Sequence, residues 1–197
     1  MRPTSTIRSA LASLAALGLV ACGSTPPSQF YALAPIDGAA AGAPAPGLAV
    51  FIQDVRVAES IDRPQIVTVA DAHERRVSDL SRWAEPLPAN VGAVLAENLG
   101  RRLGSERVSV LPAQLAERAD VRVTVDVVRF DATLGGACRL VAHWSLRDDA
   151  SRWIDAGRTE GSATAAGDDY GALVRAMSEC VAQLSDAIAA RIQQHAP

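Results

Sequence analysis

Four valines alternate with polar residues in the run Val121-Arg122-Val123-Thr124-Val125-Asp126-Val127. Because successive side chains of a β-strand point to opposite faces, this alternation predicts a strand with one apolar and one wet face. A second run repeats the pattern, with apolar side chains at Cys138, Leu140, Ala142, Trp144 and Leu146. The two runs predict neighbouring strands of a sheet that is buried on one face only.

Further strands are expected on both sides of this pair. Residues 48–57 carry apolar side chains on both faces, which is typical of a central strand. Residues 66–69 and 76–80 flank a polar turn that contains His73, and they indicate a hairpin. A short strand is expected over 107–111 and a longer one over 152–163.

Two amphipathic helices complete the predicted body. The first begins near Pro88, where a fixed φ and a missing N–H cost little, and ends at Gly104. The second is expected over 168–194, with Asp168 as its N-cap. These elements predict an α/β fold of the α+β type, a two-layer sandwich in which a mixed β-sheet packs on two main amphipathic helices.

The N-terminus carries the pattern of an exported lipoprotein. Arg2 and Arg8 precede an apolar run over 10–20 that is too short to span a bilayer, as in a secretory signal peptide. The run ends in Leu19-Val20-Ala21-Cys22, which resembles the lipobox of bacterial lipoproteins. The resemblance implies cleavage before Cys22, diacylglyceryl transfer to its thiol and acylation of the new amine, which together make a durable anchor.

The chain therefore divides into three predicted parts. Residues 1–21 are the lipoprotein signal peptide, residues 22–47 are the lipidated cysteine and a flexible tether, and residues 48–197 are the folded domain. Within the tether, a short apolar patch over 30–33 is a candidate edge strand. The 19 basic residues face 22 acidic ones, which leaves a net charge of −3. An acidic chain with scattered arginines lacks the electrostatic footprint of a nucleic-acid-binding protein.

The sequence shows no motif of catalysis. A nucleophile elbow, a His-Glu-x-x-His pair and a glycine-rich phosphate loop are all missing from it. His73, His143 and His195 fall in a turn, on a wet strand face and near the C-terminus, without the spacing of metal ligands. We therefore expect a protein that is not an enzyme and that needs no cofactor and no metal.

Two cysteines remain once lipidation has used Cys22. Cys138 and Cys180 form an even pair in an oxidising compartment, and both lie on the apolar sides of their elements. A disulfide between them would close a loop of about 42 positions and stabilise the fold by about 4 kcal/mol in the loop-entropy estimate. The alternative is a pair of buried free thiols that pack as small hydrophobes.

One series of residues along the mature chain resembles a known family. The series is Asp62-Arg63-Pro64-Gln65-Ile66-Val67, then Leu80, Trp83, Glu85-Pro86-Leu87, Leu95 and Asn98-Leu99, with Tyr31 and Leu33 before it and Tyr170-Gly171-Ala172-Leu173 after it. It is similar to the ABC-type transport auxiliary lipoprotein family, whose members are PqiC/YmbA-like. The resemblance implies a periplasm-facing lipoprotein of the outer membrane that works with a PqiB-like MCE-domain (mammalian cell entry) membrane protein in lipid transport. Gly23 is consistent with sorting to the outer membrane.

Arg63 is the first candidate for partner binding. Pro64 pushes Arg63 towards an extended conformation and removes a ladder donor, which indicates the start or the edge of a strand. One hypothesis is an exposed edge that pairs with a partner's backbone while Arg63 binds a carboxylate or phosphate. The alternative, which the sequence favours, is that Arg63 pairs with Asp62 or Glu85 and closes the fold.

Trp83, Gln65 and Glu85 complete the candidate set. The indole of Trp83 suits either an interfacial anchor or a cover over one end of the core, and we prefer the cover. Two functions follow from the whole analysis. The first is a subunit that docks an MCE assembly, for which a homo-oligomer would be suitable. The second is a lipid carrier with a hydrophobic cleft. Few aromatic and many alanine residues favour tight packing, and therefore the first function.

Overall fold

Eight strands and two helices make up the part of the chain that the structure describes. The structure is a computed structural model, and it describes residues 26–38, 43–110 and 118–195. In chain order the elements are β1 (Gln29–Tyr31), β2 (Val50–Val57), β3 (Gln65–Val69), β4 (Arg75–Trp83), α1 (Leu87–Leu103), β5 (Val108–Ser109), β6 (Val121–Ala132), β7 (Ala137–Asp148), β8 (Trp153–Thr164) and α2 (Tyr170–His195). This composition confirms the predicted fold class, an α+β fold with mixed sheets and two helices.

The larger sheet has five strands in the order β5-β2-β6-β7-β8. β2 runs parallel to β5 and β6, whereas β6, β7 and β8 form an antiparallel meander. Its inner face is the row of alternating apolar residues that the sequence predicts, and the helices cover that face. A shift of register between Val127 and Arg129 reverses the alternation, so that Val128 is exposed and Phe130 is buried.

The helices begin and end close to the predicted positions. Gly104 ends α1 in the left-handed conformation, with φ of 62°, and its N–H donates to the carbonyl of Gly100. The predicted N-cap of α2 is one residue too early. It is Asp169, not Asp168, whose Oδ1 accepts the N–H of Ala172 at 2.8 Å, since α2 starts at Tyr170.

A second, smaller sheet was not expected from the sequence. It has the order β1-β4-β3, in which β3 and β4 form the predicted antiparallel hairpin. In the hairpin turn, Asp71 Oδ1 accepts the N–H groups of His73 and Glu74, and these hydrogen bonds hold the pKa of Asp71 below its usual value. β1 pairs with β4 in parallel, far along the chain from it, and local alternation cannot predict such a pairing.

The core lies between the larger sheet and the two helices. Leu99 of α1, Val125 of β6 and Leu184 of α2 have no exposed surface. Within the described residues, no helix is both long and apolar enough to cross a membrane.

Candidate docking site

An open pocket lies where β3 begins, β4 ends and α1 begins. Its volume is about 410 Å³. The residues that line it include Arg63, Pro64, Trp83, Glu85, Pro86 and Leu87. The structure therefore brings three of the four predicted partner-binding residues to one cavity, and the fourth, Gln65, follows directly in β3.

Prolines and backbone hydrogen bonds shape the pocket. The carbonyl of Pro64 accepts the N–H of Trp83 at 2.7 Å, which joins the start of β3 to the end of β4. The N–H of Ala84 donates to the carbonyl of Tyr31 at 2.8 Å, so β1 is attached at the same place. Pro86 precedes the first residue of α1 in an extended conformation, with ψ of 129°, and turns the chain into the helix. The pocket thus marks the junction of three strands and a helix.

Arg63 is exposed at the mouth of this pocket. Its Nε donates to Gln65 Oε1 at 3.3 Å. Among the residues that the structure describes, it forms no ion pair with Asp62 or Glu85, which is the pairing that the sequence favoured. Most of the hydrogen-bonding capacity of its guanidinium therefore faces solvent, and this geometry suits the recognition of a carboxylate or phosphate.

Trp83 and Glu85 have different parts in the pocket. Only 6% of the Trp83 surface is exposed, so its ring is a wall of the pocket and part of the core. This burial agrees with the preferred interpretation of Trp83 as a cover over one end of the core. Glu85 is exposed, but its Oε1 accepts a hydrogen bond from Asn90 Nδ2 at 2.8 Å. Glu85 is thereby positioned from inside the helix and does not depend on Arg63.

Asn90 also holds the chain that leads to the pocket from the N-terminus. Its Oδ1 accepts the N–H of Leu33 at 2.6 Å, and its Nδ2 donates to the carbonyl of Leu33 at 3.4 Å. Residues 33–38, named here the N-terminal strap, continue from there between α1 and α2. The N–H of Ala34 donates to Ser178 Oγ at 3.1 Å, and that of Ile36 donates to Asn98 Oδ1 at 3.1 Å.

A buried arginine completes the attachment of the strap. Arg102 is 1% exposed, and its Nε donates to Asp186 Oδ1. Its other nitrogens donate to the carbonyls of Asn98 at 3.2 Å, Ala182 at 3.3 Å and Ile36 at 3.5 Å. The sequence analysis missed Arg102 together with Asn90 and Asn98. The available signal was three polar residues at spacings of eight and four on the apolar face of a helix.

Comparison with known families decides the membership of this chain. The family model of the ABC-type transport auxiliary lipoprotein component matches residues 31–189. The chain belongs to this family. The resemblance that was stated from the sequence is therefore confirmed, and the match includes both the docking pocket and the strap. No protein with a curated description matches the chain.

Two solved structures share the fold of this family member. Protein XCC0632 from Xanthomonas campestris, of the family DUF330, has a TM-score of 0.70 at 17% identity and covers 85% of this chain and 98% of its own. A crystal structure of an uncharacterized protein has a TM-score of 0.66 at 19% identity and covers 85% of this chain and 99% of its own. At these identities the similarity shows a common fold.

Family membership gives the protein a general role. It is a lipoprotein component auxiliary to ABC-type transport, and this places it in a transport system of the cell envelope. The family is not one of known enzymes. The predicted signal peptide and lipidated Cys22 lie outside the residues that the structure describes.

The histidines lie apart from one another in the fold. His73 is in the hairpin turn, His143 is on the wet face of β7, and His195 ends α2 with its Nε2 at 3.4 Å from Asp155 Oδ2. Over residues 26–38, 43–110 and 118–195, no group of three His, Cys, Asp or Glu side chains has an arrangement that would hold a metal ion.

Proposed function

We propose that this protein is a non-catalytic outer-membrane lipoprotein subunit of an MCE/ABC-type intermembrane lipid transport system. In this role it docks an envelope-spanning, PqiB-like MCE-domain protein at the outer membrane and supports membrane integrity. Family membership supports the transport role. The observation that carries the docking role is the open pocket with the exposed Arg63 at its mouth.

The chemistry of the pocket suits a protein segment. Pro64, Pro86 and Leu87 give it apolar walls, while Arg63 and Glu85 place opposite charges at its rim. Interfaces of this kind bury an apolar anchor in a pocket and surround it with polar contacts. The partner segment expected here carries an apolar side chain beside an acidic one, since Arg63 donates only its Nε–H to Gln65 and has further N–H groups for a carboxylate.

The outer side of β3 adds no second mode of contact. β3 is an edge strand of the smaller sheet, and no other strand pairs with its outer side in the described part of the chain. Its central residues Ile66, Val67 and Thr68 are nevertheless buried, so the strand does not present an open edge to a partner. The docking role therefore rests on the pocket and on Arg63.

The path of the N-terminus supports a position near the membrane. The roughly seven residues from Cys22 to Gln29 span at most about 25 Å when fully extended. β1 then pairs with β4 so that Tyr31 lies opposite Trp83, a wall of the pocket. An acyl anchor on Cys22 would therefore hold the docking pocket close to the outer membrane, where the distal end of an envelope-spanning protein arrives.

A periplasmic lipid carrier that acts without a stable MCE partner is the other candidate function. A carrier needs a cavity for acyl chains, and the expected place for it is the space between sheet and helices. Leu99, Val125 and Leu184 fill that space and are fully buried. This packing favours the docking function over the carrier function.

Crosslinking in the cell envelope tests the docking function. The tagged full-length lipoprotein would carry a photo-crosslinking residue in place of Gln65, and gently solubilised membranes would be analysed by mass spectrometry. We expect an MCE-domain protein as the main crosslinked species. Arg63→Glu should lower its yield about tenfold, since reversing one charge at an interface costs of the order of 1.4 kcal/mol or more.

Arg56→Glu is the matched control for this experiment. Arg56 is an exposed arginine on β2 and lies outside the pocket, so its reversal should leave the crosslink unchanged. Equal loss with both variants would show a general effect of charge and would contradict a docking role for Arg63. Co-purified phospholipid without any MCE-domain protein would favour the carrier function.

A further inference from the structure

The two cysteines of the folded body face each other across the interface between sheet and helix. Cys138 lies near the start of β7 and Cys180 lies within α2. Their Sγ atoms are 3.4 Å apart, and neither residue has exposed surface. We propose that Cys138 and Cys180 form a disulfide in the mature, exported protein, and that this bond joins α2 covalently to the larger sheet.

The backbone brings the two sulfur atoms together with little freedom. Cys138 is held on both sides, opposite Ala132 of β6 and Ala163 of β8. α2 comes unusually close to β8 at Gly161, where an added Cβ would lie 3.0 Å from the carbonyl oxygen of Cys180. A glycine at this position therefore permits the approach that places Cys180 over the sheet. From 3.4 Å, a disulfide needs a closure of little more than about 1 Å, which side-chain rotation supplies.

Cysteine usage removes competing pairings. The chain has three cysteines, and lipidation of Cys22 would convert its thiol to a thioether. Only Cys138 and Cys180 then remain to react in the periplasm. Because an even pair in an oxidising compartment is the usual setting of a structural disulfide, the pairing is unambiguous.

The burial of both thiols determines when the bond forms. The hydrogen bond that the Cys138 thiol shares with Cys180 and the burial of the site raise the pKa of the Cys138 thiol. A buried and protonated thiol is not reached by an oxidant in the folded protein. The oxidation therefore takes place during folding after export, before α2 closes onto the sheet.

The oxidant is a thiol–disulfide oxidoreductase in its disulfide form, and the reaction balances with it. The thiolate of one cysteine attacks a sulfur of the oxidant and releases one of its thiolates, which gives a mixed disulfide. The thiolate of the second cysteine attacks the sulfur of the first and releases the oxidant's other thiolate. The chain loses two electrons and two protons, and the oxidant is reduced to a dithiol.

Intact mass after alkylation tests this proposal on the protein as the cell makes it. The full-length lipoprotein is expressed with its own signal peptide, isolated from membranes, denatured and treated with an alkylating agent, with and without prior reduction. Without reduction we expect no alkylation of Cys138 or Cys180. After reduction we expect two additions, one on each residue. Alkylation of both residues in the unreduced sample would overturn the proposal.

Thermal unfolding provides a second measurement with a matched control. Reduction in denaturant, followed by refolding with reductant present, should lower the Tm of the wild-type protein by about 10 °C, given the size of the closed loop and of the domain. In the double variant Cys138→Ala/Cys180→Ala, reductant should leave Tm unchanged. A wild-type Tm that is insensitive to reductant would also overturn the proposal. Neither readout depends on an MCE partner, so failure here is distinct from failure of the docking function.

Discussion

The larger sheet and the N-terminal strap are attached to the same two helices by different interactions. The sheet contacts the helices through apolar side chains such as Val125 and Leu146, which have no exposed surface. The strap is held by hydrogen bonds between its backbone and three side chains: Asn90 and Asn98 accept its N–H groups, and Arg102 donates to one of its carbonyls. Apolar contacts are numerous and non-directional, whereas each polar contact depends on one geometry. The sheet should therefore unfold with the whole domain, and the strap should be able to detach alone.

Leu146→Ala should give the largest effect, because it removes a fully buried side chain of β7 from the core. We expect a loss of about 4 kcal/mol in the free energy of unfolding, from lost burial and from the remaining cavity. Urea unfolding followed by circular dichroism measures it. Hydrogen exchange should speed up across all elements alike. Faster exchange confined to β7 would contradict the cooperative unit assigned to the sheet.

Arg102→Ala should have the second-largest effect. We expect a loss of about 3 kcal/mol in the free energy of unfolding, because the carbonyls of Ile36 and Ala182 lose a buried donor. Limited proteolysis should now cut within residues 33–38 while the domain remains folded. The matched control is Arg101→Ala on the same helix. Arg101 makes its ion pairs at the surface, with Glu97 and with the exposed Asp37 of the strap, so this variant should change stability by less than about 1 kcal/mol. Equal effects of the two variants would remove the distinction between the buried and the exposed attachment of the strap.

Asn90→Ala should have a smaller and more local effect, a loss of about 2 kcal/mol. The change leaves the buried N–H of Leu33 without its acceptor and releases Glu85. The rate of amide hydrogen exchange should increase most at Leu33 and in β1. If exchange there stayed at the wild-type rate, the strap would be held by something other than this amide. Asn90→Asp retains the acceptor for the Leu33 N–H and should preserve part of the protection.

The smallest expected effect on stability is the loss of one surface contact of the sheet in acid. Arg191 Nε donates to Asp155 Oδ2 at 2.7 Å and the N–H of Ala156 donates to Asp155 Oδ1, so the pKa of Asp155 lies below its usual value. Its stabilising effect is present above that usual value and is lost as pH falls through the lowered pKa, below about pH 4. When Tm is measured as a function of pH, it should fall less steeply in acid for Asp155→Asn than for the wild type.

Glu160→Gln on the same strand is the control for this titration. Glu160 pairs with Arg158 at the exposed face of β8, and its loss should leave the acid limb of the Tm curve close to that of the wild type. An identical acid limb for the wild type and Asp155→Asn would contradict the stabilising contact to Arg191.

The elements of the larger sheet were predictable because their signals are local. The alternation at Val121 to Val127 and the glycine stop at Gly104 each specify a strand or a helix end within a few residues. The docking pocket was predictable in part, since Arg63, Trp83 and Glu85 all belong to the series of residues that carries the family resemblance. Their actual partners were not, because the sequence favoured an Arg63 ion pair where the structure has a hydrogen bond to Gln65.

By itself, the sequence determined the fold class, the order of the elements, the family and the expectation of a lipid anchor. These follow from short-range periodicity and from motifs that are read along the chain. Only the tertiary structure decided the second sheet, the strap between the helices and the 3.4 Å approach of the two cysteine sulfur atoms. The physical reason is that these features join residues that are distant in the chain. Their geometry is set by how the layers pack, and no local pattern records it.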